Sequence, residues 1–540
     1  MKKLLLLLSV MLFLAGGLFL GVSGSGALAE TLGLSQDSGA IAVESYGKVS
    51  PEIRQDVEKA AKGFAAFCAD NLQVKLNRDV RVLVVADSHN YQAMLVQEMG
   101  MDEAEAKNKA QYTSGQASGQ KSLCVINGDR SGLKETDDRL GTTAHELFHQ
   151  LQYQLSDGRN GYEQGLFWLE EGSADYMGAQ VAASLGGRSM EKWFLDAKFA
   201  VQNSRKVADV MALQHTTEAE RTQLMNNRVN SYGLSDLMVW FLVKTYAPGQ
   251  ENARLLDYFR RLGQGDTPEK ALQNTFGVPL NDFLAAFVDW WQQEQKKTVF
   301  NFHGHGSVSP ATVSQLQQQV KAAQDWLSAH WGRKLTGEYD IIVAANQEDL
   351  ARAAEEQCRI SPERAKELAS GSVWVENNST LIVNGERIAD QRQCIFVGGV
   401  MMTRMLEVQE LGAEPSGVEW LMRGIGYVVG VGRLCESGYG RLTDYQRTWR
   451  TELRKKAPLP SLDKMMRQEA MQEIADQYSH DDIAKLCEYA TAELVRRYGW
   501  GALQNWLLAA RQLGDGRQAF VQVFGITATD FAAQIQMLVY

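Results

Sequence analysis

The sequence predicts an α+β fold built twice in tandem, each copy a small β-sheet followed by a largely helical portion. Three observations predict it. Short β-rich runs such as VRVLVV at 80–85 fall early in each half, and helical patterns fill the remainder. Five segments of the first half recur in the second in the same order. The 540 residues exceed what one hydrophobic core supports and suit two domains of about 250 residues.

The chain opens with Lys2 and Lys3, an almost wholly apolar run from Leu4 to Val22, and small residues at Ala27 and Ala29. This pattern predicts a secretory signal peptide over residues 1–29, with an uncleaved membrane anchor as the alternative. In either case the remainder is expected to be exported, to the cell envelope or outside the cell. No later apolar run has spanning length, so the mature chain is expected to be soluble and to meet a membrane only if the first segment stays in place.

A helix is expected after Ser50-Pro51, where serine caps and proline suits the first turn. A strand follows at Val80–Val85, then a helical hairpin around 88–110, a short strand at Leu123–Asn127, and helices to the end of the copy. GKVSPEIRQDVEKAAKGFAAFC at 47–68 is echoed by GSVSPATVSQLQQQVKAAQDWL at 306–327. RVLVVADSHNYQAML at 81–95 meets YDIIVAANQEDLARAA at 339–354, CVINGD at 124–129 meets LIVNGE at 381–386, and FWLEEGSADY at 167–176 meets EWLMRGIGYV at 419–428. ALQNTFGV at 271–278 matches AFVQVFGI at 519–526. The expected units are residues 30–300 and 309–540, joined by a Gly- and His-containing linker at 301–308, in which His303 and His305 are read as solvated.

The formal net charge is −10 with no basic block, which argues against a nucleic-acid partner. Six cysteines without a CxxC pair make neither a disulfide scaffold nor a cysteine metal site.

The chemistry concentrates in TTAHELFHQLQYQL at 142–155. On a helix, His145 and His149 stand one turn apart on one face, so their imidazoles can converge on one metal ion. Glu146 lies beside them, placed to take a proton from water at the metal and hand it to a leaving amine. A tetrahedral zinc needs a third protein ligand and an open fourth position. A metzincin-type completion requires Gly at 152 and His at 155, where Gln152 and Leu155 stand, and is excluded. Glu170 and Glu171 lie about one helix downstream and offer the alternative completion.

With these residues the chain resembles the peptidase MA-like gluzincins. WLEEG resembles the WLxEG segment of the aminopeptidase N family, in which the glutamate before the glycine binds zinc. The resemblance implies Zn²⁺ held by His145, His149 and Glu171, with Glu146 catalytic. Asp175 falls at the E-x-x-x-D spacing of thermolysin-like enzymes, implying a carboxylate that orients a ligand histidine. Tyr232 is implied as an oxyanion donor or else packs as core, with His215 and Arg228 as weaker rivals. The resemblance covers most of residues 80–290 in element order. No GxMEN motif is present, so the amine-recognition device of aminopeptidases is missing and an endopeptidase acting on peptides or proteins is expected, with the strand at Leu123–Asn127 at the cleft edge to pair with an extended peptide.

The second copy has no histidine between His330 and His480, carries GGVMMTRMLEVQEL in place of the histidine helix, and has Arg423 where Glu171 stands. It is expected to be a degenerate pseudo-peptidase that holds substrate, a partner or the active half. The rival reading of the whole chain is a non-catalytic cell-envelope binding module with a structural or lost zinc site.

Overall fold

The computed structural model describes residues 39–129, 133–160, 165–412, 416–456 and 458–540; the expected signal peptide lies outside them. The first half runs β1 (Ile41–Tyr46), α1 (Pro51–Phe67), β2 (Val80–Val85), α2 (Ser88–Gln97), α3 (Glu103–Tyr112), β3 (Gly115–Ser118) and β4 (Leu123–Asn127). It continues through α4 (Thr136–Ser156), α5 (Phe167–Ser184), α6 (Met190–Gln202), α7 (Glu218–Asn226), α8 (Tyr232–Tyr246), α9 (Glu251–Gly263), α10 (Pro268–Phe276) and α11 (Leu280–Glu294).

The second half repeats this order. It runs β5 (Thr298–His305), α12 (Pro310–Trp331), β6 (Gly337–Ala344), α13 (Gln347–Cys358), α14 (Pro362–Ala369), β7 (Trp374–Asn377) and β8 (Thr380–Asn384). Then come α15 (Gln391–Leu411), α16 (Glu419–Glu436), α17 (Leu442–Arg454), α18 (Gln468–Gln477), α19 (His480–Tyr498), α20 (Gly501–Leu513), α21 (Gly516–Phe524) and α22 (Ala528–Val539). The fold is mixed α/β and mostly helical, with two small mixed sheets of strand order β1-β2-β4-β3 and β5-β6-β8-β7.

Local chemistry explains the matching starts. Ser50 and Ser309 each accept a hydrogen bond on Oγ from the third residue of their helix, and Pro51 and Pro310 occupy the first turn, where proline's missing N–H costs nothing. β2 and β4 read as nearly continuous apolar runs because both sheet faces are covered. Val82, Val84, Cys124 and Ile126 pack on the α1 and α4 side with Phe64, Leu147 and Phe148. The alternate residues Leu83, Val85, Leu123 and Val125 pack with Tyr91, Met94 and Leu95 from the α2 side.

Three expectations are corrected. The linker expected at 301–308 is largely strand, since β5 pairs in parallel with β6 along Thr298–His305 and opens the second sheet. Its exposed edge position admits glycine and histidine, the residues that suggested a linker. His305 on this strand bonds Glu356 at 3.0 Å. β1 and β3 were not expected at all: β1 is a largely exposed edge strand, and β3 reads Gly-Gln-Ala-Ser, without the branched and aromatic residues that mark strands. The short strand at 123–127 is interior, flanked by β2 and β3, so the sheet edge belongs to β3.

All six cysteines are free thiols. Among the described residues no helix is long and apolar enough to cross a membrane.

The halves dock through α6. Lys192 donates to Ser379 Oγ at 3.0 Å and Thr380 Oγ1 at 2.7 Å. The buried Lys198 pairs with Glu294 at 2.7 Å and lies 3.6 Å from Glu338, and Phe199 meets the Tyr339 ring edge-on. Just beyond α6, Arg205 donates to the carbonyl of Leu411 at 2.6 Å.

In the second half, a Cβ on Gly430 would lie 2.9 Å from the Phe396 carbonyl, as one on Gly178 would lie 2.6 Å from that of Gly141. The matching helix contact sets Val400 at the place of His145 and Arg404 at that of His149. Arg404 pairs with Glu407 at 2.6 Å. Glu407 is fully enclosed, and burial raises its carboxyl from 4.5 to about 7 despite Arg404, with Glu376 and Glu419 adding repulsion.

The folded state therefore keeps a proton here that the unfolded chain has lost above about 4.5. Stability is fully present below that pH and falls as pH rises through 7, by about 3 kcal/mol if the whole shift is realised. Glu407→Gln is expected to flatten the decline in melting temperature between pH 5 and pH 8. An unchanged slope by calorimetry would remove Glu407 as its source.

Candidate metal centre

Helix α4 lies under the sheet with its histidine face turned toward the β3 edge. Gln150 Nε2 donates to the carbonyl of Leu123 at 3.2 Å, and the Cys124 thiol lies 3.3 Å from that of Glu146, so the helix register is tied to β4. Helix α5 runs against α4 and α8. At Gly172 a Cβ would lie 2.4 Å from the Ser235 carbonyl, so only glycine after Glu171 lets α5 and α8 approach this closely.

The result is a compact triangle of ligand atoms. His145 Nε2 and His149 Nε2 are 3.0 Å apart, and Glu171 Oε2 is 3.5 Å from each. A tetrahedral zinc with bonds near 2.0–2.1 Å separates its ligand atoms by about 3.3 Å, so the spacing fits. All three residues are largely enclosed, and together they form a cluster able to hold a metal ion.

The outer nitrogens support the same assignment. His145 Nδ1 lies 2.7 Å from Asp175 Oδ1, which can only accept, so Nδ1 carries the proton and the Nε2 lone pair faces inward. His149 Nδ1 lies 2.7 Å from Gln152 Oε1, while Gln152 Nε2 is used by the Glu170 carbonyl and Ser173 Oγ. Two lone pairs facing each other at 3.0 Å require a cation or a proton between them. Burial opposes the charge on His145, but the Asp175 carboxylate, helped by Glu171 and Glu146, overcomes it and holds the imidazole well above its ordinary value. For His149 burial is likewise overcome, chiefly by Glu171.

Glu170 and Glu171 point different ways. Glu170 turns from the histidines to pair with Arg221 of α7 at 2.9 Å. Arg221 also reaches Glu171 Oε1 at 3.3 Å, leaving Oε2 toward the histidines, and its guanidinium lies over the Phe167 ring. Glu171 is held well below the carboxylate range: burial opposes this, and His149 and His145 outweigh it.

Sequence reasoning missed Arg221, Gln152 and Asp236. Asp236 is buried against Asp175, and burial first, then the Asp175 charge, hold its carboxyl well above the ordinary carboxylate range. Gln152 stands three residues after His149 on the same helix, a spacing that signals contact. Arg221 and Asp236 arrive from other helices, and nothing local announces them.

A cleft of about 410 Å³ opens over the triangle, lined among others by Gly115 and Gln116 of β3, by Glu146, and by Tyr232 at the start of α8. Tyr232 is 38 % exposed at this lining, and its phenol, protonated at neutral pH, can donate there. His215 instead pairs with Glu269 at 2.7 Å and does not line the cleft, whereas Arg228 does. Glu146 is buried at the cleft floor, which raises its carboxyl above the ordinary range.

Gly115 sets the position of Glu146. A Cβ there would lie 2.5 Å from Glu146 Oε1, so the bare edge strand is what lets the carboxylate stand beside the ligands. Trp374 occupies the matching first position of β7 and packs against the second core. Gly115→Ala is expected to keep the metal while displacing the carboxylate, lowering turnover of a peptide by roughly ten- to a hundredfold. Parent-like turnover would show that Glu146 need not stand there.

The chain matches no family model, no curated protein and no solved structure.

Proposed function

We propose that this protein is an exported zinc-dependent peptidase with one working gluzincin-like half and one degenerate half. The single observation that carries the reading is the His145–His149–Glu171 triangle with Glu146 beside it at the floor of an open cleft. A structural metal site needs neither a carboxylate that stays off the ion nor a cleft leading to it. Zinc bound by these three side chains supplies a Lewis acid that polarises a carbonyl and acidifies water.

The chain's own residues do the rest. Glu146 accepts a proton from water as the water adds to the scissile carbonyl, and Tyr232 donates to the oxygen that becomes negative. Glu146 then gives the proton to the amine as the C–N bond breaks, with no covalent intermediate. Asp175, backed by Asp236, and Gln152 keep both ligand histidines in the tautomer that presents Nε2. β3, as the sheet edge, offers backbone groups to an extended peptide by strand addition. The twin lysines and apolar run at the start of the chain support export, and the acidic charge without basic clusters supports a peptide rather than a nucleic-acid substrate.

Zinc content and peptide hydrolysis of the purified chain test the reading together. One equivalent of tightly held zinc is expected, with hydrolysis lost on chelation and restored by zinc. Two equivalents, or one that survives alanine substitution of both His145 and His149, would refute it.

A further inference from the structure

Two corners of the triangle are imidazoles that present one lone pair each, but the third is a carboxylate, which can hold a cation through one oxygen or through both. If Glu171 gave both, its second oxygen would take the position that a catalytic site leaves open for water, and the centre would be closed. The neighbour of that second oxygen therefore decides what kind of site this is.

That neighbour is Arg221. Its Nη1 donates to Glu171 Oε1 at 3.3 Å and its Nη2 to Glu170 Oε2 at 2.9 Å, while Glu171 Oε2 stands 3.5 Å from both histidine Nε2 atoms. A rigid guanidinium fork serves two carboxylates at once, and here it lies 4.6 Å from the centre of the Phe167 ring, itself buried. Helix α7 adds no buried residue to the core, yet the Arg221 side chain is only 11 % exposed. The helix is pinned at its start instead, by the reciprocal Thr217–Glu220 capping box and by the pair of Glu218 with Lys109 at 3.1 Å. Arg221 follows directly and is carried to the ligand.

We infer that Arg221 is a positioning residue that keeps Glu171 a one-oxygen ligand, holding Oε1 off the ion so that the centre retains a place for the attacking water. The inference rests on the zinc-peptidase reading above and names what keeps its centre open. A residue that merely held α5 and α7 together would not change the number of ligand atoms.

The test uses the full chain loaded with cobalt(II) in the absence of peptide, since the visible absorption of this ion is intense in a four-coordinate site and weak at higher coordination. The parent is expected to show the intense band, and Arg221→Met to weaken it at least about threefold as the second oxygen binds. The same variant should hold zinc no more weakly than the parent in competition with a chelator, because a cation beside the site has been removed. Its kcat for a peptide should fall at least about tenfold. Glu170→Ala, in which Arg221 keeps Glu171, should retain the parent band. If Arg221→Met fails to fold because it strands the largely enclosed Glu170, the double variant Glu170→Gln/Arg221→Met takes its place with the same expectations.

An unchanged band in the Arg221 variant, a weak band already in the parent, or zinc held more than about tenfold more weakly by the variant would overturn the inference alone. A band lost equally in Glu170→Ala would assign the effect to support of the helices and likewise overturn it. If the parent binds zinc and cobalt but cuts no peptide, the peptidase reading fails, and the band still decides whether Arg221 keeps the ligand single. A parent that binds neither ion overturns both.

Discussion

Glu146→Gln is expected to fold, to bind zinc as the parent does, and to lose at least about a hundredfold in peptide hydrolysis, the usual scale for removing a positioned general base. Glutamine matches the shape of Glu146 but has no carboxylate to accept a proton. The helix face that carries the ligands is untouched, because Glu146 is one residue round from them and their partners are Asp175 and Gln152. Cys124 contacts only the backbone carbonyl of residue 146, so the tie between α4 and β4 survives. Zinc content and single-turnover hydrolysis on the same preparation make the check. Equal rates for parent and variant with zinc bound in both would leave a metal-binding helix without protease chemistry, and the binding-module reading would take over.

Glu171→Ala and Glu170→Ala are adjacent substitutions expected to differ most. Removing Glu171 takes away one corner of the triangle and leaves two histidines whose lone pairs face each other at 3.0 Å. Zinc affinity should fall by well over the roughly hundredfold typical of losing a supporting partner, and hydrolysis should fall with it. Removing Glu170 breaks its 2.9 Å pair with Arg221, yet Arg221 retains Glu171 and the Phe167 ring. Metal and most activity should persist, with a stability loss of about 1–3 kcal/mol from the weakened support of a buried guanidinium. Competition for zinc against a chelator of known affinity separates the two. Zinc kept by Glu171→Ala and lost by Glu170→Ala would reverse their roles.

The second half differs from the first in more than the three ligand positions. Arg404 and Arg423 stand at the places of His149 and Glu171, and Trp374 stands where Gly115 leaves room for the carboxylate. What the second half still does is hold the first. It receives Lys192 of α6 and bonds Arg205, and the chain runs on from there into α7 and the cleft wall that carries Arg221 and Arg228. A half with the same sheet and helix order but without the histidine cluster suits a scaffold on which that wall is braced.

The histidine pair, the neighbouring glutamate and the downstream Glu-Gly were legible because a helix converts spacing directly into direction: residues four apart share a face whatever surrounds them. The duplication was legible for a related reason, since repeated helix starts such as Ser50-Pro51 and Ser309-Pro310 are local chemistry written twice. The edge strands were not legible. β1 and β3 are strands only because β2 and β4 offer them partners, and neither carries an alternating pattern strong enough to announce itself. The choice between Glu170 and Glu171 rested on resemblance until α7 brought Arg221 against both and turned one carboxylate from the histidines. Asp236 became a partner of Asp175 only through the close approach of α8 and α5 at Gly172. The sequence by itself determined which groups share a helix face, because that depends on one backbone geometry. Which groups from different helices meet was decided by the tertiary structure alone, because it depends on how whole surfaces pack.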